Sequence, residues 1–98
     1  MSEFDYQNID DLIHSRIRLA IMSVLITVDE ADFNFLKDKV NATDGNLSVH
    51  LKKLEEGNYI SVKKEFIDRK PKTLYTLTKI GVKAFEAYVA QLEKLIKK

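Results

Sequence analysis

The sequence predicts a mainly α domain with one small antiparallel β-hairpin, an α+β fold in the order helix, helix, helix, strand, strand, helix. Three observations carry this expectation. Apolar residues recur at spacings of three and four through separate stretches of the 98-residue chain, the signature of helices with one buried face. The period changes to two between Tyr59 and Phe66 and again between Thr73 and Thr78, as in half-buried strands. Two of the helical stretches are short and joined by a link of about three residues, which is how a helix-turn-helix is built. No repeat, low-complexity tract or linker interrupts the sequence, so residues 1–98 are expected to form a single domain around one core.

The first helix is expected over Ile9–Thr27. Leu12, Ile13, Ile17, Ala20, Ile21, Val24 and Leu25 form its stripe, and Asn8 or Asp10 could cap its start. Val28–Phe33 is a short acidic link, with a minimal strand possible near Phe33. The second helix runs over Phe35–Val40, with Asn34 as its expected cap and Asn41 as a left-handed terminator. Thr43 then caps a third helix, Asp44–Glu56. Leu47, Leu51 and Leu54 give this helix its apolar stripe, and Gly57 is the expected left-handed stop.

In the first strand Ile60, Val62 and Phe66 alternate with Ser61, Lys63 and Glu65; in the second, Tyr75 and Leu77 take the core face. Between them Ile67–Lys72 reads as a charged turn, where Pro71, lacking an amide donor, suits a loop or a strand edge. Thr78 caps the last helix, about residues 79–97, whose stripe runs through Val82, Phe85, Val89, Leu92 and Ile96. A helix-turn-helix followed by a hairpin with a basic tip is the winged helix-turn-helix arrangement, the hairpin being the wing.

Composition narrows the function. The sequence has no Cys and only two His, His14 and His50, so a disulfide framework and a Cys- or His-based metal site are not expected. The run Asp29–Asp32 spells DEAD, but no phosphate-binding glycine loop accompanies it. No Ser/His/Asp or paired-carboxylate arrangement is discernible, so no enzyme activity and no cofactor are expected. No stretch is long and apolar enough to span a membrane, and the acidic opening MSEFDYQNID is unlike a signal peptide. A cytoplasmic protein is the resulting expectation. The net charge of +1 hides an asymmetry: residues 1–49 hold four Lys/Arg against nine Asp/Glu, and residues 50–83 hold nine against four. A basic segment opposite an acidic one sets up a local field that can steer an anionic partner.

The stretch Thr43–Thr78, TDGNLSVHLKKLEEGNYISVKKEFIDRKPKTLYTLT, followed by KIG, resembles the small MarR/ArsR-like winged-helix transcription regulators. The upstream HSRIRLAIMSVL resembles the first helix of that family, so the likeness spans about Ile13 to Leu95. It implies a sequence-specific regulator that binds double-stranded DNA as a homodimer. The cysteine-rich ligand set of the metal-sensing branch is missing, which argues against metal sensing of that type. Any small-molecule effector is left unidentified.

On that reading the third helix is the recognition helix and enters the major groove. With one hundred degrees per residue, Leu47, Leu51 and Leu54 point to the core, and Gly45, Val49 and Lys52 point away. The N-terminal part of such a helix reaches base edges. Asn46, Ser48 and Val49 are therefore the base-contact candidates: Asn can pair bidentately with adenine, and an apolar side chain can meet a thymine methyl. Thr43, Lys52 and Lys53 are the phosphate candidates. His50 is expected half-buried with one satisfied nitrogen, and His14 in packing or at an interface. At the wing, Arg69, Lys70 and Lys72 are expected on phosphates or in the minor groove, with Arg69 best suited to a narrow minor groove. Lys63 and Lys64 cannot both face DNA, since strand neighbours alternate. The last helix is the expected dimerisation element, through Phe85, Tyr88, Leu92 and Leu95, with Phe4, Tyr6, Ile9 and Ile13 contributing. The alternative is a winged helix that binds protein and no longer binds DNA; a recognition face without cations and a neutral wing would mark it, and this sequence has the reverse.

Overall fold

The structure, a computed structural model, describes residues 10–96. Helix α1 spans Arg16–Leu25, strand β1 Ala31–Asp32, α2 Phe33–Val40 and α3 Asp44–Glu56; β2 spans Ile60–Ile67, β3 Lys70–Leu77 and α4 Lys79–Ile96. The strands form one antiparallel sheet in the order β1-β3-β2. The winged helix-turn-helix order and the minimal strand beside Phe33 are both present.

One face of the sheet packs on the helices. The shared core joins Ile21, Met22 and Leu25 of α1, Leu36 of α2, Leu47, Leu51 and Leu54 of α3, and Ile60 of β2. No side-chain nitrogen or oxygen buried among the described residues lacks a hydrogen-bond partner, so the core carries no desolvation penalty of that kind. No described helix is long and apolar enough to cross a membrane.

Several boundaries differ from the sequence expectation for local reasons. Residues 11–13 form a turn, and α1 starts only at Arg16. The Asp10 carboxylate accepts the Leu12 N–H at 2.9 Å and the Tyr59 hydroxyl. Such local side-chain bonding competes with helix formation, and Ser15 becomes the cap, accepting from the Arg18 N–H. Asn8, the other expected cap, lies outside the described residues. Helix α2 begins two residues early because Asp32, not Asn34, caps it through the Phe35 N–H at 2.8 Å. A carboxylate at a helix N-terminus also meets the positive end of the dipole. That Phe35 bond, joined by Lys72, holds the Asp32 carboxyl below the ordinary carboxylate range.

The end of α3 is a further correction. Gly57 has φ −82°, and the left-handed residue is Asn58 at φ 65°. Gly57 serves close approach instead: a Cβ there would sit 2.1 Å from Leu12 Cδ2. Asn41 does terminate α2 in the left-handed conformation, at φ 59°. Thr78 opens α4, accepting the Gly81 N–H at 2.9 Å and donating to the Asn58 carbonyl at 2.6 Å. Gly81 lets α4 lie against the β2 entry, since a Cβ there would meet the Tyr59 carbonyl oxygen at 2.1 Å.

The hairpin turn is also tighter than expected. Ile67 pairs with Lys70, leaving only Asp68 and Arg69 in the loop, both at positive φ (53° and 66°). Consecutive positive φ values mark the two-residue turn whose twist matches the strands. Lys70, Pro71 and Lys72 are thus strand residues. In such a hairpin the pair closing the loop is hydrogen-bonded and the next is not. Pro71, opposite Phe66, therefore sits where its missing N–H would point away from β2. Phe66 keeps the apolar alternation of β2 but is 79% exposed, because the hairpin runs out beyond the helices there.

Candidate nucleic-acid interface

Helix α3 divides cleanly between an anchor and a free face. Leu47, Leu51 and Leu54 are 0%, 3% and 0% exposed. Asn46, Ser48, Val49, Lys52 and Lys53 are all exposed, Val49 at 53%. The start of the helix is fixed from two sides. Thr43 accepts the Asn46 N–H at 3.2 Å, so its hydroxyl has a capping duty. Lys37 of α2 binds Asp44 at 2.7 Å across the turn and covers the carboxylate nearest the helix start. A cation there offsets a charge that would otherwise repel an anionic ligand.

The rear of α3 is held by a contact that sequence reasoning missed. Arg18 of α1 donates from Nε to the Leu12 carbonyl at 2.6 Å, and its Nη1 lies 2.8 Å from His50 Nδ1. An arginine can only donate, so His50 Nδ1 is the acceptor and the ring is neutral. Burial, with Arg18 and Lys53 nearby, pushes the His50 pKa below its ordinary value. His50 is thus half-buried with one satisfied nitrogen, as expected. In sequence Arg18 falls mostly off the α1 stripe, and its partner is 32 residues away.

The pairing register distributes the wing cations between two faces. Ile60, Val62, Lys64 and Phe66 share the helix-facing side with Leu77, Tyr75, Thr73 and Pro71. Lys63, Glu65, Lys70 and Lys72 lie on the other side with Leu74, which is itself buried. Lys63 pairs with Glu65 at 3.1 Å, and Lys72 with Asp32 at 3.3 Å. Of Lys63 and Lys64, it is therefore Lys64 that shares the side of α3. Arg69 occupies the turn, and Lys70 is exposed beside it. Among the described residues no ion pair engages Lys52, Lys53, Lys64, Arg69 or Lys70.

The stripe expected on the last helix is split. Tyr88 is 6% exposed and belongs to the core of the chain itself, its hydroxyl 3.0 Å from His14 Nδ1. This corrects its expected place at an interface, because the turn at 11–14 covers this part of α4. Phe85 and Leu92 are half-buried against the core, while Val89, Leu95 and Ile96 are 37%, 53% and 77% exposed. Ile13 is fully buried, so it too is a core residue. Phe4, Tyr6 and Ile9 lie outside the described residues.

Comparison with known proteins agrees with this architecture. The family described as "Winged helix DNA-binding domain" matches residues 17–96. An uncharacterized protein of Methanocaldococcus jannaschii is 40% identical over 86 residues, covering 88% of this chain and 94% of the relative. The transcriptional regulator homologue protein of Pyrococcus horikoshii has a similar structure, with a TM-score of 0.81 at 27% identity over 87% of this chain and 84% of that one. A MarR-family regulator from Enterococcus faecalis shares the fold with a TM-score of 0.75 at 20% identity, over 84% of this chain and 74% of its own. With its helix-turn-helix, basic hairpin and matched span of residues 17–96, the chain belongs to the winged helix DNA-binding domain family and has a MarR-like winged helix-turn-helix fold.

Proposed function

We propose that this protein is a sequence-specific regulator of transcription that binds double-stranded DNA as a homodimer and acts by occupying its operator, not by catalysis. The observation that carries the reading is the two-sided α3, with three leucines buried and every candidate contact exposed. A helix anchored in this way can enter a major groove without rearranging its core.

In this reading Asn46, Ser48 and Val49 read base edges, with Asn46 suited to adenine and Val49 to a thymine methyl. Lys52 and Lys53 contact phosphates as point charges. Thr43 combines its cap with a phosphate contact, since a hydroxyl that accepts one bond can still donate another. Arg69 enters the minor groove from the wing tip, Lys70 takes a phosphate, and Lys72 reaches the DNA only by leaving Asp32. The strained turn supports a role for Arg69: a side chain at φ 66° stands where glycine costs less.

The two recognition helices of the dimer would meet successive major grooves on one side of the duplex. The exposed end of α4, with Leu95 and Ile96, is the proposed contact, with Phe85 and Leu92 flanking it. A signal that changes the separation of the two α3 helices would set occupancy. The test is selection from a pool of random duplexes. The reading predicts an enriched palindrome whose half-sites lie about one helical turn apart, and Asn46→Ala should relax the preference at one position in each half-site. Recovery of an unselected pool at saturating protein would contradict sequence-specific binding.

A further inference from the structure

Phe66 has no role in the core, the turn or the candidate contacts above. It is 79% exposed, more than any other large apolar side chain described. The register places it opposite Pro71, on the face that also carries Lys64 and Thr73. Farther down the hairpin this same face packs on the core through Ile60, Tyr75 and Leu77. It is therefore the side turned toward α3. At the tip, beyond the helices, it carries an apolar pair, Phe66 and Pro71, with Lys64 on the same face and Arg69 at the turn beside them.

An exposed Phe loses free energy to water in the free protein, so an occupant that covers it gains by doing so. The cations beside it select an anionic occupant, and no ion pair among the described residues neutralises Lys64 or Arg69. A minor groove offers both requirements at once: phosphates on its rims and apolar sugar and base edges between them. Phe and Pro are side chains that minor-groove proteins press between base steps.

We infer that Phe66, backed by Pro71, is a specificity-determining residue that presses into the minor groove beside Arg69 and favours easily unstacked pyrimidine–purine steps there. The inference rests on the DNA-binding reading above and adds to it a contact that is apolar and reads deformability, not hydrogen-bond pattern. Its salt signature differs accordingly. Losing a phosphate contact lowers the slope of log affinity against log salt by about 0.9, whereas losing an apolar wedge lowers affinity at every salt concentration alike.

The experiment uses the full chain and the selected duplex, with Phe66→Ala, Phe66→Leu and Arg69→Ala. These side chains are exposed, so the variants should fold, and their circular dichroism and melting curves are recorded alongside. Phe66→Ala is expected to bind about tenfold more weakly with an unchanged salt slope, and to lose the preference for TA or CA steps beneath the wing. Phe66→Leu should recover most of the affinity, because leucine also serves as a wedge. Wild-type affinity and step preference in Phe66→Ala would overturn the inference while leaving the DNA reading intact. So would a changed sedimentation coefficient with unchanged DNA binding, which would assign this face to a second copy. Absence of duplex binding by the wild-type protein would remove both.

Discussion

Gly81 shows how much one side-chain atom can decide. Its missing Cβ leaves the room that the Tyr59 carbonyl oxygen occupies. Gly81→Ala would press the new methyl group into the Tyr59 backbone, where no rotamer change relieves the overlap. Overpacking of this kind costs roughly 1–3 kcal/mol, and about 4–8 °C of melting temperature per kcal/mol is expected in a domain of this size, measurable by thermal unfolding. His50 makes a pH prediction. Its folded pKa lies below the ordinary histidine value because of burial, Arg18 and Lys53. The unfolded chain then binds a proton more readily than the folded one. The stability from the neutral ring is fully present above about pH 6.5 and is lost as pH falls through the folded pKa. His50→Gln, which keeps an acceptor for Arg18, should flatten that part of the pH dependence in urea unfolding between pH 7.5 and 5. Tyr59 behaves oppositely at the alkaline end: burial and the Asp10 bond push its pKa up to about 12, so its contribution persists below pH 10 and is lost as pH rises toward 12. The capping duties of Thr43 and Thr78 were legible in the sequence because they act within three residues. The Arg18–His50 contact was not, since it joins residues that only the packing of α1 on α3 brings together.

At the scale of elements, the bounds of α3 were legible from the Thr43 cap and the leucine stripe, but not its stop, where Asn58 and not Gly57 is left-handed. The start of α1 was not, because the Asp10 carboxylate bonds locally and delays the helix to Ser15. The wing was legible as a basic hairpin, but periodicity does not reveal where a strand leaves the body of the domain. Phe66 therefore keeps the pattern of a core residue after the core has ended. The turn yields a prediction with opposite signs for stability and binding. Asp68 and Arg69 both adopt positive φ, a conformation better suited to Asn-Gly. The double variant Asp68→Asn, Arg69→Gly should raise stability by about 1 kcal/mol, read by chemical denaturation. It should also weaken operator binding, because the arginine is lost. A variant that is both more stable and equally tight in binding would remove Arg69 from the interface.

The whole molecule is elongated, 58 × 26 × 21 Å, and α4 contributes to this because its last turn, Glu93–Ile96, is exposed throughout. In the proposed dimer, exposed Leu95 and Ile96 are the apolar surface that the second copy covers. Leu95→Glu should shift sedimentation toward the monomer and weaken binding to a palindrome much more than to a half-site. Periodicity predicts one continuous stripe on the last helix; the structure gives Tyr88 to the core, where its hydroxyl meets His14, and leaves Ile80, Val89, Leu95 and Ile96 exposed. Sequence-specific DNA binding is tested most directly by a salt titration of the wild-type protein on its selected duplex and on a scrambled duplex of equal length. A linear fall of log affinity with log salt is expected on both, at about −0.9 per phosphate contacted, with the selected duplex bound more tightly at every salt concentration. No binding to either duplex at low salt would contradict it.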